Sequence, residues 1–422
     1  MIKQILKQIW VMRRKNTWVI LELFLVFVIM WYIVDFFSVM GITSTTPTGT
    51  DITDVYQVVY ATNKSDNPKY IPYEEGSEEP GQNFLRMVER LKEHPDVTLV
   101  SIGMWFYPYC GSNSFTTYYR DTLKAQYQIL TVSPEYFSMF RVAPSNGGDP
   151  EVLAKAIQRE NAVILSRKAE KDLFKDDSGT GQIIESRNRR DTVQIYVAAV
   201  CNEMKTHEYT RPQSYALLLF DENRLFRMTD EDIRNRISIC IKVRPGVSAK
   251  DFPARFKNEM RQTLAVGNYF LAEINPLTAQ RELYLRAYSI TTTLEYRIGF
   301  AIFFLINIFL AVLGTFWLRI ERRKSEIGLR IATGSTKAQV MNLIFAEGLC
   351  MMVIASIPAL LVCLNMVFIE FMPTEYMDFT LARFLSNTGI TYLLFIIAIL
   401  LSSLYPALRS ARTQPAEALH YE

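Results

Sequence analysis

The sequence predicts a membrane protein with four transmembrane α-helices and a large α+β extracytoplasmic domain on a helical stalk. Apolar residues make up 49% of the 422 residues, and they are concentrated in four blocks rather than spread evenly. The mean hydropathy of +0.06 is high for a chain of this length. About 250 residues between the first and second blocks instead mix short strand and helix patterns with turn residues. A wholly soluble protein is therefore excluded.

The four apolar blocks are long enough to cross a bilayer, which takes about 20 residues. The predicted spans are 17–40, 298–318, 348–369 and 384–408. The first span contains Glu22 and Asp35, so at least one carboxylate must lie near the hydrocarbon edge. Its apolar stretch is too long for the core of a signal peptide, and no A-x-A-like cleavage site follows it. We expect this span to be retained as an anchor.

Basic residues set the predicted orientation. Segment 1–16 holds five basic residues and no acid, and segment 319–347 is also rich in Lys and Arg. By the positive-inside rule these segments and the tail 409–422 face the cytoplasm, whereas 41–276 and the short loop 370–383 face outward. The protein is then expected in the bacterial inner membrane with both termini cytoplasmic. Apolar residues at helical spacing further predict that 1–16 is an amphipathic helix on the cytoplasmic leaflet, with an irregular tail as the alternative.

The outward-facing region 41–276 shows the patterns of an α+β domain. Strands are expected at 54–61, 97–102, 125–132, 162–165, 193–200, 215–220 and 237–243, and helices at 84–91, 134–140, 166–174 and 249–264. After Pro276 no further proline appears until Pro358, which predicts one long helix over 277–318 that serves as a stalk and continues into the second span. A break at Thr291–Thr293 is the alternative, because threonine lowers helix propensity.

A search for chemical motifs indicates no catalytic residues and no metal ligands. The chain has no phosphate-binding loop, no nucleophile elbow and only three histidines, which are far apart. The net charge of +3 gives no sign of a nucleic-acid partner. A disulfide among Cys110, Cys201 and Cys240 stays open.

Three polar residues lie within the apolar blocks. Glu22 marks either an ion path or a structural hydrogen bond or ion pair. Asn307 is expected to join two helices through a hydrogen bond, and Asp35 is expected at the membrane interface.

The cytoplasmic segment 319–347 carries the most specific pattern. It predicts a short helix, a turn at Gly334 and a second short helix, all parallel to the membrane surface. Its basic residues are suited to contacts with anionic lipid, and Ile327 and Ile331 are expected to face a protein partner.

At these residues the sequence resembles the permeases of MacB-type and FtsX-type ABC transporters, the mechanotransmission class. Their coupling segment commonly reads R-x-x-E-I-G-x-R-x-A-x-G-A-S. The matching residues here are Arg323, Glu326, Ile327, Gly328, Arg330, Ala332, Gly334 and Ser335. The C-terminus is similar to the family ending at Pro406, Ala407, Ala411, Pro415, Ala416, Glu417, Ala418 and Leu419, but His420 replaces the usual Arg. Segments 132–140 and 161–174 resemble the periplasmic core of the family.

The resemblance implies a permease subunit that transmits the ATP-driven motion of a separate ATPase through the stalk to the periplasmic domain. Export or release of envelope substrates would follow. The coupling contacts would come from Arg323, Glu326, Ile327, Gly328, Arg330 and Gly334. ATP and Mg²⁺ would be used by the ABC ATPase subunit and not bound by this chain. Further expected partners are a second permease copy or paralogue, a periplasmic adaptor or substrate, and membrane lipids.

Two other functions remain open alternatives. One is the FtsX-like regulation of cell-wall hydrolases, and the other is an envelope receptor or scaffold without ATP coupling.

Overall fold

A computed structural model describes residues 2–111, 114–187, 192–247, 250–372, 374 and 376–412. The chain divides into two compact units. The helical unit comprises Met1–Ser44 and Thr292–Glu422, and the sheet unit comprises Thr45–Thr291.

Within the described residues, the α-helices are α1 (Ile2–Val11), α2 (Arg13–Thr45), α3 (Glu79–Lys92), α4 (Glu135–Met139), α5 (Glu151–Ala156), α6 (Arg167–Phe174), α7 (Asp230–Arg236), α8 (Phe252–Met260), α9 (Leu277–Ala287), α10 (Ile290–Glu321), α11 (Lys324–Ala332), α12 (Lys337–Phe368) and α13 (Leu381–Arg412). The strands are β1 (Val55–Thr62), β2 (Val97–Met104), β3 (Phe115–Arg120), β4 (Leu123–Val132), β5 (Ala162–Ser166), β6 (Ile183–Arg187), β7 (Thr192–Cys201), β8 (Tyr215–Leu219), β9 (Ile237–Val243) and β10 (Tyr269–Pro276).

Four helices of the helical unit are long and apolar enough to cross a membrane. Their qualifying segments are Asn16–Thr45, Ile290–Leu318, Ala338–Phe368 and Leu381–Leu401. The four spans predicted from the sequence are confirmed in number and order. Most of their buried side chains form one apolar cluster that includes Phe27, Val312, Met351 and Phe395, and Trp31 and Cys363 belong to a second cluster.

The amphipathic helix predicted over 1–16 is present over residues 2–11 as α1, and residues from Arg13 onward belong to α2. Its placement on the cytoplasmic leaflet stays a prediction. Ile5 and Ile9 are buried in the apolar cluster of the helical unit, and α1 contacts α12. Lys3 and Lys7 are exposed. The side chain of Asn16 donates a hydrogen bond to the carbonyl of Ile9 (3.1 Å) and so fixes the junction between α1 and α2.

The sheet unit contains a 10-stranded sheet whose pairings define two lobes. In the first lobe, strands β10, β1, β9 and β2 are antiparallel neighbours, and α3 and α8 cover an apolar core with Phe84 and Phe252. In the second lobe, the order β4-β3-β6-β7-β5-β8 closes on itself through a parallel pairing of β4 with β8. The strands of the second lobe therefore form a ring, and α6 packs on its core through Leu173 and Phe174.

Several elements of the sheet unit differ from the sequence prediction. Strands β3, β6 and β10 and helices α5 and α7 were not predicted, and the helix predicted over 249–264 is the shorter α8. Most residues of β3 and β6 are partly or fully exposed. The apolar alternation that identifies a half-buried strand is consequently weak in these two segments.

The predicted continuous stalk helix 277–318 is wrong in one respect. The structure has two helices, α9 and α10, separated at Tyr288 and Ser289. Ser289 has φ 56°, a left-handed conformation that ends an α-helix. The amide of Ser289 donates to the carbonyl of Arg286 (2.9 Å), which closes the last turn of α9. The break comes just before Thr291–Thr293, the site of the predicted alternative.

The helices that carry the third and fourth spans, α12 and α13, are longer than the predicted spans. The second short helix expected in the coupling segment is the first part of α12, and it continues without a break into the membrane-spanning segment. Helix α13 begins at Leu381 rather than 384 and extends to Arg412. The C-terminal motif residues from Pro415 to His420 lie outside the described residues. All five cysteines are described, and no disulfide bond joins any two of them.

Candidate functional site

The predicted coupling residues lie on α11 and on the turns that flank it. Arg323 lies between α10 and α11, whereas Glu326, Ile327, Gly328 and Arg330 belong to α11, and Gly334 follows it. The structure therefore brings these residues together on one short helix between two spans and on the turns at its two ends.

Arg323 connects α11 to α12. Its Nε and Nη2 atoms donate to the two carboxylate oxygens of Glu326 at 2.8 and 2.9 Å, and its Nη1 atom donates to Oε2 of Glu347 at 2.5 Å. Arg330 donates a further hydrogen bond to Glu326 (3.1 Å). Bidentate arginine–carboxylate contacts fix orientation as well as distance. The start of α11 is therefore held to α12 in a defined geometry.

Burial and hydrogen bonding act in opposite directions on the charges of this cluster. Burial lowers the pKa of Arg323, but its hydrogen bonds with Glu326 and Glu347 outweigh burial and raise it above its ordinary value. The hydrogen bond from Arg323 lowers the pKa of Glu326, and this effect outweighs partial burial of the carboxylate. Both groups are therefore charged at neutral pH.

An apolar contact supports the ionic one. Ile327 is buried and packs with Ile320, Val340 and Ile344 from α10 and α12. The expectation that Ile327 faces a partner is therefore wrong for its side chain, because the helical periodicity directs it toward α10 and α12. The side chain of Ile331 lies outside the described residues.

The turn after α11 depends on Gly334. Its φ is 101°, which residues with a Cβ rarely adopt. The amide of Ser335 donates to the carbonyl of Arg330 (2.9 Å) and closes the C-terminus of α11. Thr336 then caps α12, and it exchanges side-chain and backbone hydrogen bonds with Gln339 in a capping box.

The face of α11 opposite Ile327 is exposed. Ser325 and Thr333 are exposed on it, and Leu329 is 57% exposed. The cavity behind α11 has a volume of about 20 Å³, room for about one water molecule. In the described part of the chain, no group of three or more His, Cys, Asp or Glu side chains could hold a metal ion. The arrangement fits a surface for a protein contact rather than a small-molecule pocket.

The intramembrane polar residues make different contacts from one another. Oγ1 of Thr315 on α10 lies 2.8 Å from both carboxylate oxygens of Glu22 on α2, so Glu22 joins two helices. This geometry agrees with the alternative in which Glu22 forms a structural hydrogen bond between helices. The expectation for Asn307 is wrong within this chain, because its amide donates to the carbonyl of Phe303 on its own helix (2.8 Å) and its side chain is exposed.

From the sequence, Asp35 is expected simply at the membrane interface. The structure instead places it in a buried ion pair. Arg383 on α13 donates to both oxygens of Asp35 on α2 at 2.7 and 2.6 Å, and Asn387 donates at 2.6 Å. The side chains of Asp35 and Arg383 are each 3% exposed. Pairing makes burial of both charges tolerable in an apolar environment.

Sequence reasoning missed Glu347, Thr315 and Arg383. Glu347 immediately precedes an apolar run and lies in the same cytoplasmic segment as Arg323, a weak signal for an ion pair. Arg383 immediately precedes the fourth predicted span, and Asp35 lies near the end of the first. The predicted topology therefore places these opposite charges at the same membrane face, which is a signal for an ion pair.

Comparison with protein families identifies the C-terminal part of the chain. Residues 298–415 match the family described as FtsX-like permease C-terminal. The chain has four helices suited to crossing a membrane, as in a multi-pass membrane protein, and its residues 298–415 are similar to FtsX-like permeases. The match includes the coupling motif, so the resemblance of this segment to FtsX-type permeases is confirmed.

Solved structures similar to the chain have low sequence identity. A domain of a permease protein from Porphyromonas gingivalis is 16% identical, covers 54% of this chain and 94% of its own, and has a TM-score of 0.33. The periplasmic region of MacB from Actinobacillus actinomycetemcomitans is 12% identical, with coverages of 56% and 94% and a TM-score of 0.33. The extracellular domain of the ABC-type transporter YknZ from Gram-positive bacteria is 14% identical, with coverages of 52% and 100% and a TM-score of 0.31. Comparison with curated proteins gives no significant match.

Proposed function

We propose that this chain is an ABC-transporter permease subunit that transmits the ATP-driven motion of a separate ATPase subunit to its sheet unit. Export or release of envelope substrates would be the result. The observation that carries the proposal is the construction of α11. One face of this helix packs against α10 and α12 of the same chain. The opposite face, which includes Leu329, is exposed.

This construction suits the transfer of motion. Arg323 and Ile327 tie α11 to α12, and Ile327 also contacts Ile320 at the end of α10. Helix α11 contacts α13 as well. Because packed elements of this kind move as bodies rather than deform continuously, a displacement of α11 would displace the ends of the attached spans.

The partner and the orientation are parts of the same proposal. The ABC ATPase would bind ATP and Mg²⁺ and contact α11 on the cytoplasmic side of the bacterial inner membrane. Two permease copies, or this chain and a paralogue, would assemble over a pair of ATPase subunits. The basic residues of segments 1–16 and 319–347 support this orientation through the positive-inside rule.

Cysteine labelling tests the orientation. Ser325→Cys and Lys250→Cys are introduced separately into a chain without its native cysteines, and intact cells are treated with a membrane-impermeant maleimide. We expect labelling of position 250 alone until the membrane is opened. Labelling of both positions from the same side would refute the topology.

Affinity purification in detergent, followed by mass spectrometry, identifies the ATPase, and its activity is then measured in the reconstituted complex. Gly334→Val strains a turn that requires positive φ, at a cost of roughly 1 kcal/mol or more. Leu329→Asp places a charge on the exposed face. We expect both variants to insert normally but to weaken ATPase association or stimulation.

Gly389→Ala is the matched control, because Gly389 lies in α13 and a Cβ there would meet no atom within 4 Å. It should behave like the unaltered chain. Wild-type ATPase binding and stimulation by both Gly334→Val and Leu329→Asp would refute the coupling role of α11. The absence of any ATPase from the purified material would favour a receptor or scaffold.

A further inference from the structure

A basic surface at the start of the chain is not used by the proposed coupling contact. It consists of Lys3, Lys7, Arg13 and Arg14, which we call the basic elbow. All four side chains are exposed, and none forms an ion pair with another described residue. No Asp or Glu precedes Glu22 in the sequence. The local charge is therefore uncompensated within this part of the chain.

The basic elbow is held in place by packing and by a hydrogen bond within the helical unit. Ile5 and Ile9 are 1% and 7% exposed and anchor α1 in the apolar cluster of the helical unit. Asn16 is itself buried and bonds to the carbonyl of Ile9 across the junction. The guanidinium of Arg13 lies 5.7 Å from the ring centre of Trp10, within range of a cation–π contact.

The position of the elbow relative to the apolar span places it at the level of lipid headgroups. The span begins at Asn16, only two residues, or about 3 Å of helix, after Arg14. Trp10 and Trp18 on either side are 70% and 76% exposed. Tryptophan with an exposed ring is typical of the interface between membrane and water.

We propose that the basic elbow is a binding site for anionic phospholipid headgroups. The lysine and arginine side chains supply the charge for the phosphodiester, Trp10 and Trp18 lie in the interfacial layer, and Ile5 and Ile9 keep α1 from detaching. Because α1 contacts α12, and α12 carries the Glu347 that binds Arg323, a bound lipid would also stabilise the position of α12.

Native mass spectrometry of the full chain in detergent measures this binding directly. The chain is titrated with phosphatidylglycerol or with phosphatidylcholine of the same acyl chains. Each basic group close to an anionic surface contributes roughly fivefold in affinity. We expect phosphatidylglycerol to bind at least tenfold more tightly than phosphatidylcholine. Replacing all four elbow residues with glutamine should weaken phosphatidylglycerol binding by at least tenfold.

Two further variants control for charge and folding. Exchanging Lys for Arg and Arg for Lys at the four elbow positions keeps the charge and should keep the binding. Glutamine at four exposed basic residues of the sheet unit should have no effect, and these residues are Lys69, Lys124, Arg167 and Arg261. Equal affinity for phosphatidylglycerol and phosphatidylcholine would overturn the proposal. So would unchanged phosphatidylglycerol binding by the variant with glutamine at all four elbow positions. Competition by millimolar inorganic phosphate would overturn it too, because the site would then bind a free anion rather than a lipid.

Discussion

The buried ion pair between Asp35 and Arg383 offers a demanding test of the structure of the helical unit. The proposed perturbations are Asp35→Asn and Arg383→Gln, each of which removes one charge. A third variant, Asp35→Leu combined with Arg383→Met, replaces the pair with apolar side chains. All three act at a contact between α2 and α13, the first and last spans in the sequence.

The expected magnitude follows from the geometry. Both side chains are 3% exposed, and two hydrogen bonds of 2.7 and 2.6 Å join them. Solvent screening is therefore small, and loss of one partner from a buried pair costs about 3–5 kcal/mol. The apolar double variant leaves no unpaired charge behind. The side-chain amide of Asn387, however, loses the Asp35 carboxylate as its hydrogen-bond acceptor. We expect it to cost about 1 kcal/mol, near the value of one hydrogen bond.

The reactivity of Cys363 reports on this region. Its side chain is 0% exposed and packs with Trp31 and Met372. The partly buried Phe379 and Phe384 pack against the same cluster, and Arg383 lies over the Phe379 ring (5.2 Å). With the other four cysteines replaced by alanine, modification by N-ethylmaleimide measures the fraction of molecules in which this cluster opens. A cost of about 3 kcal/mol corresponds to an increase in rate on the order of a hundredfold.

The reasoning is refuted if either single variant reacts within about threefold of the parental rate. It is also refuted if the apolar double variant reacts as fast as the single variants, because the cost would then not come from an unpaired buried charge.

Three smaller perturbations test other contacts. The pKa of Glu326 is depressed, so its ion pairs should stabilise α11 fully above its ordinary pKa of 4.5 and progressively less as the pH falls through the lower folded-state value. Hydrogen exchange of residues 324–332, corrected for the intrinsic rate, should show this loss, and Glu326→Gln should abolish it. Thr315→Val removes the hydroxyl donor of Glu22 and should lower the stability of the helical unit by about 1 kcal/mol in denaturant titrations. Asn268→Ala removes a fully buried amide that makes two hydrogen bonds with the backbone of Ile71 (2.8 and 2.9 Å), and proteolysis near this residue should become at least tenfold faster. An unchanged cleavage pattern would contradict that role.

The membrane character of the chain could be predicted from sequence because it depends on local properties. A run of about 20 apolar residues is sufficient to identify a span, whatever the rest of the chain does. For the same reason the order of the spans and the amphipathic α1 agree with the prediction. The coupling motif was also found locally, because Arg323, Glu326 and Arg330 are close in sequence, at spacings of three and four residues.

Contacts between residues distant in sequence could not be predicted. Asp35 and Arg383 are paired across 348 positions, and only the packing of α2 beside α13 makes them neighbours. Glu347 is 24 positions from Arg323, and the turn at Gly334 returns the chain to bring them together. A sequence shows that such charges are costly in an apolar environment, but not which opposite charge compensates them.

The sequence alone determined where the membrane spans begin and end. It also determined which short segment between two spans is polar and carries the coupling motif. Tertiary structure decided how the strands of the sheet unit close into a ring and where the helix predicted from 277 to 318 breaks, at Ser289. It also decided which face of α11 is occupied by its own chain, so that Ile327 is buried and Leu329 is exposed. The physical reason is that hydropathy acts through each residue's own contact with solvent. Burial, register and ion pairing depend on partners that only the folded chain brings together.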